Sequence, residues 1–221
     1  MKIGVYAGSF LFTLFSTILN LISLNRRAWL VYKAPPAVGL PLKTVWGLFE
    51  VCDYGPNGQK QCRDFPIPGM DCIATTALDL SAQSKSFSFC DSYRTAGYAA
   101  QLAAVFGCAA LISHIIIVSR GRKFRDFGWK VLVGFICANA LCQILTLAYI
   151  LKSRSNSGVF PPGTKVSSAF VLSQISWGTD ILLAAFLCTA GIMAARRGDG
   201  YQSIPGTPRS RRYSDLEDED D

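Results

Sequence analysis

Four apolar segments constrain this sequence more than any other feature. They cover residues 3–24, 97–118, 131–151 and 169–195. Each holds about 20 residues, which is enough to cross the roughly 30 Å hydrocarbon core of a bilayer. Half of the 221 residues are hydrophobic, only 17% are charged, and the mean hydropathy is above zero. The sequence therefore predicts an integral membrane protein with four spans, not a soluble globular enzyme.

The distribution of basic residues predicts the orientation. Five basic residues lie between the second and third spans: Arg120, Arg122, Lys123, Arg125 and Lys130. Two more, Arg196 and Arg197, follow the fourth span. The positive-inside rule then predicts that both termini and this basic loop are cytosolic. Arg26 and Arg27 oppose that orientation, but they begin a loop of about 70 residues, which the rule discounts.

The basic loop has two interpretations. It can act only as a topology determinant, or it can also bind anionic lipids of the inner leaflet, at about 1 kcal/mol per basic residue near the surface. Both interpretations keep the loop at the membrane, so no nucleic-acid partner is expected.

Four of the eight cysteines fall in the predicted external loop, residues 25–96: Cys52, Cys62, Cys72 and Cys90. An even number in one external loop predicts two disulfides. A metal site is disfavoured because the only histidine, His114, lies in the second span and the cysteines lack the paired spacing of zinc sites. We expect neither a metal nor a cofactor.

Turn chemistry suggests which cysteines pair. Pro56-Asn57-Gly58 predicts a three-residue hairpin loop whose glycine adopts the left-handed conformation. Counting outward from the centre of this loop places Cys52 opposite Cys62, where a cross-strand separation of about 4.5–5.5 Å suits a disulfide. Cys72 is then left for Cys90, although four cysteines formally allow three pairings.

This part of the sequence resembles the claudin and peripheral myelin protein superfamily of four-span membrane proteins. The resemblance lies in Trp29, the stretch Gly47-Leu48-Phe49-Glu50-Val51-Cys52, the second cysteine Cys62, and Arg94 near the mouth of the second span. Phe49 replaces the tryptophan of the family motif G-L-W-x-x-C. The additional pair Cys72 and Cys90 and the acidic C-terminus make the chain look most similar to fungal claudin-like proteins of eisosome domains.

The resemblance implies an all-α membrane four-helix bundle with a small antiparallel β-sheet in the first extracellular loop. The short connections between the last three spans independently predict antiparallel neighbours. Small residues in the first and fourth spans let neighbouring spans approach closely, and Gly4 and Gly8 are predicted to pack inside the bundle; the small residues are Gly4, Gly8, Ala190, Gly191, Ala194 and Ala195. A homodimer face is the alternative for Gly4 and Gly8.

Asp180 is an acid near the middle of the fourth span. Inserting such a residue costs about 2.5–3.5 kcal/mol, so we expect it to face protein or water. Gln143 lies at a similar depth in the third span and is predicted to donate a hydrogen bond to it. The alternatives for Asp180 are a contact with a partner membrane protein or a bound lipid, or a role in a proton or ion relay. His114 is predicted to make an interhelical or headgroup contact.

The tail, residues 198–221, lacks apolar residues for a core and is predicted to be disordered and cytosolic. Tyr201 and Ile204 fit a sorting pattern that endocytic adaptors bind. Ser214 follows two arginines and fits a site for basophilic kinases, where phosphate would change the local charge.

The resemblance also implies a function. It indicates a plasma-membrane protein that organises its surroundings through lateral or cell-surface contacts with other membrane proteins or with itself. An auxiliary subunit of a larger channel, transporter or membrane synthase is the main alternative, and a pore is the third. No Gly-rich phosphate loop or catalytic arrangement is visible, so enzymatic activity is not expected.

Overall fold

The computed structural model describes residues 3–35, 43–55, 57–68, 70–72, 80–119, 122–156 and 159–198. Within these ranges the side chains of residues 3, 80–88, 122–127, 156, 197 and 198 are not described. Four helices form the body of the protein: α1 (Ile3–Asn25), α2 (Leu80–Ser119), α3 (Arg122–Asn156) and α4 (Ser168–Gly198). Each is long and apolar enough to cross a membrane. The predicted four-span bundle is confirmed.

Each helix packs mainly against two neighbours, in the cyclic order α1, α2, α3, α4. The helices extend beyond the predicted spans. Helix α2 begins at Leu80, well before the predicted start at residue 97, so Cys90 and Arg94 lie on a helix and not in the predicted loop 25–96. A hydropathy pattern detects only the apolar part of a helix that lies in the membrane. The first turns of α2 are polar, so hydropathy did not include them in the predicted span.

A five-stranded antiparallel sheet covers one end of the bundle, which we name the sheet end. Its strands are β1 (Leu30–Lys33), β2 (Lys43–Trp46), β3 (Glu50–Tyr54), β4 (Lys60–Asp64) and β5 (Lys165–Val166). Their spatial order is β4-β3-β2-β1-β5. The first four come from the α1–α2 connection as predicted, whereas β5 comes from the α3–α4 connection. Two residues are too few to show an alternating pattern, so the sequence did not indicate β5.

The predicted hairpin register between β3 and β4 is confirmed. Cys52 lies opposite Cys62, and the N–H of Gly55 donates to the carbonyl oxygen of Gln59 at 2.9 Å. Gly58 has a φ of 72°, which L side chains rarely adopt. Pro56 lies outside the described residues.

Two apolar clusters fill the interior. The junction cluster joins the sheet to the helices, and it includes Trp29, Leu30, Trp46, Leu48, Val51, Phe65, Phe89, Tyr93, Leu147, Ile150 and Phe170. The basal cluster lies toward the other end of the bundle and includes Tyr6, Ala110, Ile117, Leu132, Ile136, Leu183 and Leu187. Because the junction cluster draws residues from the sheet and from helices α2 to α4, the sheet and the bundle share one core.

Candidate functional site

Polar side chains occupy the bundle interior between the two apolar clusters. They lie on three helices, are at most 3% exposed, and are Thr13, Ser16, Asn20, Asn139, Gln143, Ser176 and Asp180. Polar groups in a membrane interior are costly unless they find partners within the protein. These residues therefore form a candidate functional site, and we name them the polar layer.

Asp180 lies at the centre of the polar layer and is 1% exposed. Its Oδ2 accepts hydrogen bonds from Asn139 Nδ2 at 2.8 Å and from Gln143 Nε2 at 3.3 Å. Gln143 Nε2 also donates to Asn139 Oδ1 at 3.2 Å, which closes a ring of three side chains. The predicted contact between Gln143 and Asp180 is present, but the shorter bond comes from Asn139, which the sequence reasoning missed. Its position four residues before Gln143, on the same helix face, was the available signal.

The ring fixes α4 against α3, but it leaves two acceptors without a partner among the described residues. These are Asp180 Oδ1 and Gln143 Oε1. Both groups accept hydrogen bonds, so a proton on the acid or a small donor can satisfy them. The ring consequently links α3 to α4, and each of these two oxygens can still accept a hydrogen bond.

Serines, and not the predicted glycines, hold α1 against α4. Ser16 Oγ lies 2.9 Å from Ser176 Oγ, and Ser176 Oγ also lies 3.0 Å from the Ser16 carbonyl oxygen. Seven residues further along α1, Ser23 Oγ donates to the Ala169 carbonyl oxygen at 2.8 Å. Polar contacts of this kind bring helix backbones close together in membranes.

The prediction that Gly4 and Gly8 pack inside the bundle is wrong. A Cβ added to either glycine would meet nothing within 4 Å, because both face an open groove between α1 and α4. Gly191 of α4 does pack closely, but against the Trp129 ring of α3. Small residues on a helix allow another helix to come close, but they do not show which helix does so or whether any does.

His114 has both ring nitrogens engaged. Nδ1 lies 2.9 Å from the Ala110 carbonyl oxygen, and Nε2 lies 2.9 Å from Ser9 Oγ on α1. A carbonyl oxygen can only accept, so Nδ1 carries the hydrogen. The single hydrogen of Ser9 Oγ can point to Nε2 or to the Tyr6 carbonyl oxygen, which lies 3.0 Å from Ser9 Oγ. The predicted interhelical contact is present, and it joins α2 to α1.

The motif that resembles claudins lies at the junction between sheet and bundle. Trp29 is 1% exposed, and its indole Nε1 donates to the Ser23 carbonyl oxygen at 3.0 Å. Its backbone N–H donates to the Trp46 carbonyl oxygen at 2.9 Å, which links α1 to β2. Leu48 is buried in the junction cluster. These residues attach the sheet to the helices.

Gly47 is required by a close approach of backbone segments. A Cβ there would lie 3.1 Å from Arg27 Cα and 3.2 Å from the Glu50 carbonyl oxygen. The Gly47 N–H donates to that same oxygen at 2.7 Å. Its carbonyl oxygen accepts a 2.6 Å hydrogen bond from the hydroxyl of Tyr93 on α2, a residue that sequence reasoning missed.

Phe49 and Arg94 are the motif residues that face outward. Phe49 is 41% exposed, and its ring covers Gly97 of α2, where a Cβ would lie 2.9 Å from a ring carbon. Arg94 is exposed and borders a cleft between α2 and the sheet. The arginine that the resemblance identified therefore belongs to an accessible surface, not to the buried junction.

Both predicted disulfides are confirmed. Cys52 pairs with Cys62 across β3 and β4, with Cα atoms 4.1 Å apart, and Cys72 pairs with Cys90 on α2, with Cα atoms 5.7 Å apart. Glu50 lies near the first pair, and these three form the one candidate metal-ligand group in the described parts of the chain. Its sulfur atoms are covalently engaged, so this group does not offer thiolate ligands.

An ion pair braces the segment after β4. Asp71 accepts two hydrogen bonds from the Arg63 guanidinium, each 2.7 Å long, and a third of 2.9 Å from the Ile67 N–H. Burial alone would raise the pKa of Asp71, but these donors outweigh it and hold the pKa below its usual value. The hydrogen bond with Asp71 in turn raises the pKa of Arg63.

The basic residues predicted as a loop lie mostly on α3, which begins at Arg122. Lys130 is exposed, and its Nζ lies 5.9 Å from the centroid of the Trp129 ring. The side chains of Arg122, Lys123 and Arg125 are not described, and Arg120 lies outside the described residues. The tail predictions for Tyr201, Ile204 and Ser214 also fall outside them.

No protein-family model matches the chain, and no curated protein matches it. The residues and their geometry therefore carry the functional argument.

Proposed function

We propose that this chain is a non-enzymatic organising protein of the plasma membrane, acting through lateral or cell-surface protein contacts. In this proposal both termini are cytosolic and the sheet faces the exterior. The positive-inside pattern supports that orientation. The two disulfides support it as well, because such bonds persist in oxidising compartments.

One observation carries the proposal: the sheet is built into the core of the bundle while its edge strand β4 is exposed. Phe160 of the α3–α4 connection contacts the rings of Trp46 on β2 and of Phe65 just after β4. Phe65 and Phe160 in turn contact Tyr93 and Phe89 of α2, and the ring centroids in this run are 5.0–6.4 Å apart. A platform fixed in this way loses little conformational entropy when it binds. This arrangement suits a recognition surface.

Strand β4 is the surface that we expect to make the contact. It forms one edge of the sheet, and all five of its residues are exposed. An edge strand presents unpaired N–H and C=O groups on one side, and these groups can pair with another strand. Lys60 places one exposed positive charge on this edge, whereas Arg63 is paired with Asp71. Lys60 is therefore the cation that an acidic group of a partner would meet there.

The experiment is mild detergent solubilisation after cross-linking in intact membranes, followed by pull-down of the full chain and mass spectrometry. Recovery of this chain with itself or with other cell-surface proteins supports the proposal, and Lys60→Glu should reduce that recovery several-fold. Lys152→Glu is the matched control, because Lys152 is exposed at the sheet end of α3 and lies outside the sheet. Equal recovery from both variants would contradict a role for β4.

The groove between α1 and α4 favours the second candidate, an auxiliary subunit. Its lining includes Gly4, Gly8, Phe12, Leu182 and Phe186, and its volume is about 600 Å³. Gly8→Leu would place a side chain in the groove, where the first added carbon meets nothing within 4 Å. Loss of a stoichiometric larger membrane protein in Gly8→Leu, with retention in Gly134→Leu, would favour this role. Gly134 offers the same open space on α3.

A further inference from the structure

A cleft of about 340 Å³ opens between the sheet and the exposed face of α2. Phe49, Phe65 and Tyr98 provide aromatic walls, and Asp64, Arg94 and Gln101 are its polar members. Arg94, Tyr98 and Gln101 follow one another at a spacing of four and three residues, so they form one stripe along α2. The cleft therefore combines aromatic surface with one cation, one anion and one amide.

The polar members of the cleft have no partner in the described part of the chain. Neither the Arg94 guanidinium, the Asp64 carboxylate nor the Gln101 amide makes a side-chain hydrogen bond or an ion pair with a described residue. All three are exposed. No described residue therefore takes up the hydrogen-bonding capacity of these three side chains, which a ligand could use.

The position of Arg94 along α2 places the cleft at the level of lipid headgroups. Arg94 is the last charged residue before the segment 95–118, whose 24 residues include no Asp, Glu, Lys or Arg. A helix of that length spans about 36 Å, slightly more than the roughly 30 Å hydrocarbon core. The charged end of the cleft then lies among headgroups, and the α2 stripe below it enters the hydrocarbon.

Gln101 lies about 10 Å deeper than Arg94, one and a half to two helical turns into the span. An exposed amide at that depth needs a hydrogen-bond partner, because hydrocarbon offers none. Ester carbonyls of a glycerophospholipid occupy the zone between headgroup and acyl chains. Further down the helix the exposed residues are apolar, with Leu102 51% and Val105 61% exposed.

We propose that this cleft binds one choline-type zwitterionic glycerophospholipid from the leaflet on the sheet side. Arg94 pairs with the phosphate, since guanidinium and phosphate form strong charge-assisted hydrogen bonds. Asp64 and the rings of Phe49 and Tyr98 hold the quaternary ammonium by charge and cation–π attraction. Gln101 donates to an ester carbonyl, and Leu102 and Val105 contact the acyl chains.

The charges of the cleft select this lipid class over two others. An anionic lipid offers the same phosphate to Arg94, but it has no cation for Asp64 and leaves that carboxylate beside additional negative charge. A neutral diacylglycerol offers neither charge. The site therefore differs from the basic residues around the start of α3, for which binding of anionic lipids is one of the two interpretations.

Native mass spectrometry of the full chain in detergent tests the proposal. The probes are phosphatidylcholine, phosphatidylglycerol and diacylglycerol with identical acyl chains, together with soluble glycerophosphocholine. One phosphatidylcholine should bind several-fold more tightly than the other three probes. Arg94→Gln should weaken it about tenfold, Arg94→Lys should retain most of it, and Asp64→Asn should remove the preference over phosphatidylglycerol.

Two control variants remove the same charges at the same end of the bundle. Arg154→Gln removes an exposed cation at the sheet end of α3, and Asp91→Asn removes an exposed acid at the sheet end of α2. Neither lines the cleft, so neither should change phosphatidylcholine binding. Diacylglycerol or phosphatidylglycerol binding as tightly as phosphatidylcholine would overturn the proposal. Equal losses in Arg94→Gln and Arg154→Gln would also overturn it, with melting temperatures confirming that each variant is folded.

Discussion

The hydroxyl of Tyr93 on α2 donates a 2.6 Å hydrogen bond to the carbonyl oxygen of Gly47, between β2 and β3. Both partners are buried, so water cannot reach the Gly47 carbonyl oxygen. The Tyr93 hydroxyl supplies the hydrogen bond that this oxygen would otherwise lack. Tyr93 also contacts Phe65 and Phe89 with its ring. One side chain thus connects a membrane helix, the aromatic junction cluster and the backbone of the sheet.

Tyr93→Phe should lower the free energy of unfolding by about 1–3 kcal/mol, because it leaves the Gly47 carbonyl without a donor while the ring remains. Thermal unfolding in detergent measures the effect. Tyr98→Phe is the control, since Tyr98 is 64% exposed and should tolerate loss of its hydroxyl. Equal stability of the two variants would show that the hydrogen bond does not hold the junction.

Gly47→Ala should destabilise the protein by about 1–3 kcal/mol, the range expected when a core is overpacked. The added methyl group would meet the backbone of Arg27 and Glu50, which cannot rotate away. Gly134→Ala adds the same methyl group to open space on α3 and should cause no loss of stability. Melting temperatures of the two variants measure the effect. Equal melting temperatures would contradict the expected clash at position 47.

Asp180→Asn should change stability by less than about 1 kcal/mol, because the amide keeps an oxygen that can accept from Asn139. Asp180→Leu should cost about 1–3 kcal/mol for each amide N–H that it leaves unpaired in the polar layer. Chemical or thermal unfolding of the purified chain distinguishes the two substitutions.

A triple variant provides the control for Asp180. Replacing Asn139, Gln143 and Asp180 together by leucine removes every member of the ring and should recover much of the stability lost in Asp180→Leu. A triple variant less stable than Asp180→Leu would contradict the account of the ring. Comparable losses of stability in Asp180→Asn and Asp180→Leu would also contradict it, because asparagine keeps an acceptor for Asn139 and leucine does not.

The ion pair of Arg63 and Asp71 should make stability depend on pH in the acid range. The pKa of Asp71 is lowered in the folded state, so its contribution is fully present above the unfolded value of about 3.9. It is lost as the pH falls through the lower folded pKa. The difference in melting temperature between wild type and Asp71→Asn should therefore be constant above about pH 5 and shrink below about pH 4.

Local chemistry explains which parts of the fold were predictable. The β3–β4 register followed from one turn, because Gly58 and its neighbours fix the loop length and the loop length fixes the pairing. The two disulfides followed from that register. By contrast, β5 is a two-residue strand that forms by pairing with β1, and no local sequence pattern predicts it.

Helix packing was predictable only in part, for a related reason. Asp180 had to find a partner, and depth alone identified Gln143. Which face of α3 meets α4 is a tertiary property, so Asn139 was missed although it lies one turn away. Gly4 and Gly8 are small enough for close packing, yet they face an open groove. The serines at positions 16 and 23 make the α1–α4 contact because their hydroxyls reach the partner helix.

The central claim is that a four-span bundle displays a disulfide-braced sheet in an oxidising compartment. Peptide mapping without reduction, after alkylation of the protein from intact cells, tests it most directly. The account predicts linked peptides for Cys52 with Cys62 and for Cys72 with Cys90, and alkylated thiols at Cys108, Cys137, Cys142 and Cys188 once the protein is unfolded. Recovery of Cys52 and Cys62 as free, alkylated thiols would contradict both the orientation and the proposed role of the sheet.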